Sequence, residues 1–148
     1  MENFHLASSL RAVTSKLFKR LRKESRLEEV LSDEEDLNLT ELGTLAHLFN
    51  RGTLYPSELA ELEKVKAQSM SQILNKLEKL QFITKTPSEE DRRKVAISLS
   101  AHGRELVEKS RYQRDVWLAG TIGASLTAKQ KAILEEAVAI LDTLADTK

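Results

Sequence analysis

The stretch that most constrains this chain runs from Lys64 to Ser100. With successive residues set about 100° apart, the segment from Ala67 to about Gln81 gathers Met70, Ile73, Leu74, Leu77 and Leu80 on one side of a helix. Opposite them lie Gln68, Ser71, Gln72, Asn75 and Lys79, flanked by Ser69 and Lys76. An ordinary solvent face more often carries Glu and Lys pairs, so this amide and hydroxyl face is a specialised surface. Ile83 to Thr86 and Val95 to Leu99 then alternate apolar and polar residues on either side of Pro87 and the charged segment Ser88 to Lys94, the pattern of a hairpin with a charged tip.

The flanking segments read as helices. Leu6, Leu10, Val13, Leu17 and Leu21 recur at steps of three and four, predicting an amphipathic helix from Phe4 to about Leu31. The basic residues Lys16, Lys19, Arg20, Arg22, Lys23 and Arg26 on its other faces read as a solvated surface. Ser32 to Asn38 reads as an acidic loop. Thr40 is expected to cap a second helix, with Leu42, Leu45, Ala46, Leu48 and Phe49 inward and Arg51-Gly52 at its end. Thr53 to Tyr55 is long enough only for a bridge strand. Pro56 suits the first position of a short third helix, which carries Leu59, Ala60 and Leu62 inward to about Glu63. After the hairpin, Ser100 caps a long helix to about Ile122. Thr127 with Gln130 forms a capping box for a last helix striped by Ile133, Leu134, Ala137, Ile140, Leu141 and Leu144.

Charge enters the argument through its distribution. The chain of 148 residues has a formal net charge of zero, which by itself speaks against a phosphate-binding protein. Yet Lys64 to Arg104 carries nine basic and four acidic residues, a local excess of +5, while Glu28 to Asp36 is acidic without a basic residue. The absence of cysteine excludes disulfides, thiolate metal sites and thiol redox sensing. His5, His47 and His102 are too scattered to mark a metal site, and no cofactor is expected. With no run long enough to span a membrane and no secretory signal, the expectation is a cytoplasmic protein without a membrane partner. Glycine-rich phosphate loops and nucleophile motifs are missing, so an enzyme is not expected.

Two short helices, a polar-faced helix and a two-stranded hairpin follow the order of a winged helix-turn-helix. The fold expected is mainly α (α+β): a single unit over residues 1–148, with a winged lobe at 39–100 and helical regions at 4–31 and 101–146. The wide apolar stripes of those outer helices exceed what the short middle helices cover, which points to a helical dimer interface.

Here the chain resembles the MarR family of bacterial transcriptional regulators. The resemblance rests on Leu39-Thr40, on Pro56 to Ala60, on Leu77 to Lys79 before Phe82-Ile83, and above all on Asp91 to Gly103, where Asp-x-Arg leads into a Val-x-Ile strand, a Ser cap and Gly. It spans roughly Leu39 to Leu106. The family often carries Gly where Lys64 and Gln81 stand, so both positions lose easy access to left-handed backbone. An Arg often found on the recognition helix is here Gln72, which favours adenine over guanine. Tyr55 stands where a small polar cap is usual.

The resemblance implies a sequence-specific regulator of double-stranded DNA, a ligand-responsive repressor acting as a homodimer on an inverted-repeat operator, with a small-molecule effector whose binding residues are unknown. The recognition helix would offer Gln68, Gln72 and Asn75 to base edges and Ser69, Ser71, Lys76 and Lys79 to phosphates or bases at the margin. On the wing, Asp91 would hold Arg93 for the minor groove while Arg92 and Lys94 meet phosphates. The competing reading is a winged-helix module whose polar helix face binds a protein partner instead of DNA.

Overall fold

The computed structural model describes residues 2–25 and 36–148. Within them the order is α1 (Phe4–Glu24), α2 (Leu39–Arg51), α3 (Pro56–Glu63), α4 (Ala67–Lys79), β1 (Ile83–Pro87), β2 (Val95–Leu99), α5 (Ala101–Ser125) and α6 (Ala128–Asp146). The expected continuation of the first helix from residue 26 to Leu31, and the acidic residues up to Glu35, lie outside the described residues. The chain divides into two compact units, one of residues 25–111 and one formed by the N-terminal segment to Glu24 together with residues 112–148.

In the first of these units, α2 begins earlier than a cap at Thr40 would set it. Asn38 is the cap: its Oδ1 accepts the Glu41 N–H at 2.8 Å. Asn38 wins because its short amide reaches the third N–H of a helix that already starts at Leu39, leaving Thr40 inside the first turn, where its carbonyl accepts the Thr44 hydroxyl. Buried Leu37 just before the cap and Leu42 just after the first turn join one core, the arrangement of a hydrophobic staple. Gly52, at φ 83°, closes α2 by donating its N–H to Leu48.

The next two helices end alike. At the close of α3, Val65 N–H reaches the Ala60 carbonyl and Lys64 N–H the Glu61 carbonyl; at the close of α4, Phe82 N–H reaches Leu77 and Gln81 N–H reaches Glu78. Both are Schellman turns, which require a left-handed residue, normally Gly. Lys64 (φ 55°) and Gln81 (φ 66°) take that conformation nevertheless. Phe82 and Leu77, which bracket the second turn, are both fully buried, so packing holds the strained residue in place. The α4 helix therefore stops at Lys79, two residues short of the sequence expectation.

The hairpin pairs antiparallel with Ile83 opposite Leu99 and Pro87 opposite Val95, and Leu54 adds a single bridge to Ile97. One core gathers Leu45 and Leu48 from α2, Leu59 from α3, Met70, Leu74 and Leu77 from α4, Phe82, Ile83 and Ile97 from the hairpin region, and Leu106 and Val107 from α5. Ser100 caps α5 as expected, its Oγ accepting the Gly103 N–H at 3.0 Å and donating to the Gln81 carbonyl at 2.6 Å. The end of α4 and the start of α5 are thereby tied together.

In the helical unit, Thr127 and Gln130 form the expected reciprocal capping box of α6. The Arg20 guanidinium lies 4.9 Å from the Trp117 ring centroid and 2.9 Å from Glu24. No residue of α1 or α6 is fully buried. Phe4, Leu6, Val13, Phe18, Val116, Ile133, Val138, Ile140 and Leu144 are all exposed. No helix among the described residues is long and apolar enough to cross a membrane.

Candidate nucleic-acid interface

The helix-turn-helix is α3, the turn at residues 64–66, and α4. Burial of Met70, Leu74 and Leu77 fixes which way α4 faces and leaves Gln68, Ser69, Ser71, Gln72, Asn75, Lys76 and Lys79 exposed. They are not equivalent. Exposed Asn75 accepts a hydrogen bond at Oδ1 from Lys85 Nζ on β1, and Lys85 also lies 3.8 Å from Glu78. Lys76 keeps an exposed side chain but engages the protein at its end: its Nζ sits 2.8 and 3.0 Å from the two carboxylate oxygens of buried Glu41 on α2 and 2.6 Å from the Asp36 carbonyl. That ammonium is spent on the protein itself, because Glu41 would otherwise be a buried carboxylate without a countercharge.

The hairpin tip is a built turn. Ser88 N–H donates to Lys94 and Lys94 N–H to Asp91, both at 2.9 Å. Asp91 Oδ1 accepts from the Arg93 backbone N–H and from Arg93 Nε, each at 3.1 Å, and Oδ2 accepts from the guanidinium Nη2 at 3.3 Å. These bonds, aided by the charge of Lys94, hold the Asp91 carboxyl below its ordinary value. The carboxylate orients the guanidinium without covering it: the Arg93 side chain remains 91% exposed. Arg92 and Lys94 are exposed beside it, with the Lys94 ammonium 5.5 Å from the Tyr55 ring centroid. Among the described residues no group of acids, histidines or cysteines could hold a metal ion.

Two residues of this surface carry roles that sequence reasoning did not assign. Lys85 engages Asn75, and Tyr55, noted only as an unusual cap, bonds the wing through its hydroxyl. Strand alternation sets Lys85 on the same face as buried Ile83, opposite Ile97, and that was the available signal for the first. For Tyr55 there was only the oddity of its position.

A MarR family sequence model matches residues 37–95. An HTH-type transcriptional regulator of Mycobacterium tuberculosis is 32% identical over 141 residues, which cover 95% of this chain and 93% of the relative. The chain belongs to the MarR family. It is thus a DNA-binding transcriptional regulator and not an enzyme. A transcriptional regulator of Pseudomonas aeruginosa shares its fold with a TM-score of 0.85 at 26% identity, covering 99% of this chain and 98% of the other. FabT of Streptococcus pneumoniae, whose crystal structure is a complex with DNA, superposes with a TM-score of 0.73 at 19% identity, covering 95% and 97% of the two chains.

Proposed function

We propose that this MarR regulator acts in the cytoplasm as a homodimer on an inverted-repeat operator, and that it is a repressor released by a small-molecule effector. In each protomer α4 enters the major groove, where Gln68 and Gln72 read base edges and Asn75 adds its NH₂ as a donor. Ser69, Ser71 and Lys79 meet backbone or marginal bases. Lys76 contributes by holding α4 to α2. The wing follows the adjacent minor groove with Arg93, and Arg92 and Lys94 neutralise phosphates.

The observation that carries this reading is the orientation of Arg93: Asp91 fixes it with three hydrogen bonds while leaving it almost wholly solvent-accessible. A salt bridge serving only to stabilise a turn on a surface contributes about 0–1 kcal/mol and gives no reason for such presentation. Dimerisation is supported by the exposed apolar residues of α1, α5 and α6, which a second copy would remove from water. In a two-fold dimer the recognition helices fall roughly one DNA turn apart, ~34 Å, which selects a palindromic site.

The test is operator selection from a random duplex pool, followed by affinity measurements with Arg93→Ala. The variant should stay folded and dimeric while losing affinity by about tenfold or more, and wild-type affinity should fall with salt at about −0.9 in log–log slope per neutralised phosphate. Wild-type affinity in Arg93→Ala, or a flat salt response, would remove the wing from the interface. Repeating the selection with small-molecule candidates tests the effector: only a ligand binding the two operator-spacing states unequally can release DNA.

A further inference from the structure

We infer that Tyr55 is a positioning residue for the wing, coupling the start of the helix-turn-helix to the minor-groove arginine. This rests on the wing reading above and goes beyond it, because Tyr55 itself meets no DNA in that reading.

Tyr55 precedes α3 at the helix N-cap, where a small polar side chain would serve the helix directly. Its side chain does not. The cap is supplied from the other direction: Glu58 Oε1 accepts the Tyr55 backbone N–H at 3.0 Å. The phenol is thereby released to reach out of the helix, and its hydroxyl pairs with Ser88 Oγ at 2.7 Å, 33 positions along the chain. Ser88 is the residue at which the wing leaves the sheet. It is 4% exposed, its N–H closes the tip onto Lys94, and its Oγ also takes longer contacts from the Glu90 and Asp91 backbone N–H groups at 3.3 and 3.4 Å. Asp91 in turn holds Arg93. A continuous path of bonds therefore runs from Tyr55 through Ser88 and Asp91 to the guanidinium.

The Tyr55 ring adds a second hold, since Lys94 lies over it. Ile83 and Ile97 seat the base of the hairpin in the core, while the sheet that carries the tip beyond them is only two strands wide. Leu54, one residue earlier, bridges Ile97 at the sheet end of the same hairpin. The segment Leu54-Tyr55 thus grips the hairpin twice, once along the strand and once at the root of the tip, and fixes the wing relative to α3 and the α4 helix that follows.

The experiment is a double-mutant cycle on the duplex that the wild-type protein selects from a random pool, with affinities from fluorescence anisotropy at one salt concentration and folding checked by circular dichroism melts. Tyr55→Phe keeps the ring under Lys94 and removes only the hydroxyl; Ser88→Ala reaches the same bond from its other end. Each should weaken binding about fivefold, as loss of one orienting hydrogen bond would. In an Arg93→Ala background each should weaken it no further, since Tyr55 acts through Arg93. A loss of equal factor in both backgrounds would show a general structural effect and overturn the inference. So would wild-type affinity in Tyr55→Phe or Ser88→Ala while Arg93→Ala is impaired. Wild-type affinity in Arg93→Ala would instead refute the wing reading itself. Should Tyr55→Phe melt below the assay temperature, Ser88→Ala carries the same two comparisons.

Discussion

Gly103 and Gly43 offer a matched pair in which the same substitution should have opposite effects. A Cβ added at Gly103 would lie 2.9 Å from the Phe82 carbonyl carbon and 3.1 Å from Leu99 Cδ2, with the Phe82 oxygen closer than either. The obstacle is backbone, so no rotamer relieves it, and α5 must back away from the turn that ends α4. That oxygen also accepts the Ser100 N–H at 3.0 Å, a bond that a shift on the order of 1 Å would break. Overpacking costs about 1–3 kcal/mol and the hydrogen bond about 1 kcal/mol, while alanine returns about 1 kcal/mol in helix propensity. The net is a loss of about 2 kcal/mol, or roughly 4–8 °C in Tm for a chain of this size. At Gly43 the added Cβ meets only the carboxylate end of Glu63, which can swing aside. Doing so gives up a 3.4 Å contact with His47 and gains the propensity of alanine, so Tm should hold or rise by up to about 3 °C. Thermal melts of Gly103→Ala and Gly43→Ala at one protein concentration decide the matter. If Gly103→Ala melts as high as Gly43→Ala, the close approach of α5 to Phe82 does not constrain the fold.

Three further outcomes follow from the same geometry. Lys76→Met should lower stability by about 1–2 kcal/mol by stranding the Glu41 carboxylate, and adding Glu41→Gln should restore part of it; a purely additive double variant in denaturant titration would refute the pairing. Lys64→Gly and Gln81→Gly should each leave stability unchanged or raise it by up to about 1 kcal/mol, because relief of left-handed strain of about 1–2 kcal/mol exceeds the unfolded-state entropy of glycine; destabilisation of either by about 1 kcal/mol would refute this. The depressed Asp91 carboxyl keeps its charge at and below the usual carboxylate range, so its hold on Arg93 is present at neutral pH and is lost only as pH falls through that lowered value. The affinity ratio of wild type to Asp91→Asn for the selected duplex should therefore stay constant from about pH 7 down to about pH 4, where an ordinary aspartate is roughly half protonated, and a ratio decaying as pH approaches about 4 would show that the carboxyl titrates normally.

Elements whose signal is local were legible in the sequence. The capping box at Thr127 and Gln130, the cap at Ser100 and the hairpin of two neighbouring strands need only near neighbours, and each forms where the pattern puts it. Ends of helices were less legible. Asn38 and Thr40 are both competent caps two residues apart, and the choice falls to Asn38 because Leu37 and Leu42 then enter the core together. Lys64 and Gln81 hide their Schellman turns, since the glycine that would announce them is missing and, at Gln81, the turn is held by the burial of its own neighbours Leu77 and Phe82 in the core.

The candidate site divides along the same line. Helical periodicity sets Lys79 on the polar face and Lys76 at its flank, and nothing in their near neighbours gives either one a partner within the protein. What separates them is Glu41, 35 residues away, which takes one ammonium into an ion pair. Asn75 is likewise altered by Lys85, whose strand folds back beside α4 and occupies the amide oxygen that a bidentate contact to adenine would use. If α4 reads base edges as proposed, that load falls on Gln68 and Gln72, and the protein should lose more discrimination at an adenine contact from Gln72→Ala than from Asn75→Ala. Substituting Lys85 by Met should narrow that difference by returning the Asn75 oxygen to the groove, and selection of operators by the three variants measures it; equal base profiles for Gln72→Ala and Asn75→Ala would mean that the Lys85 bond is given up on binding DNA.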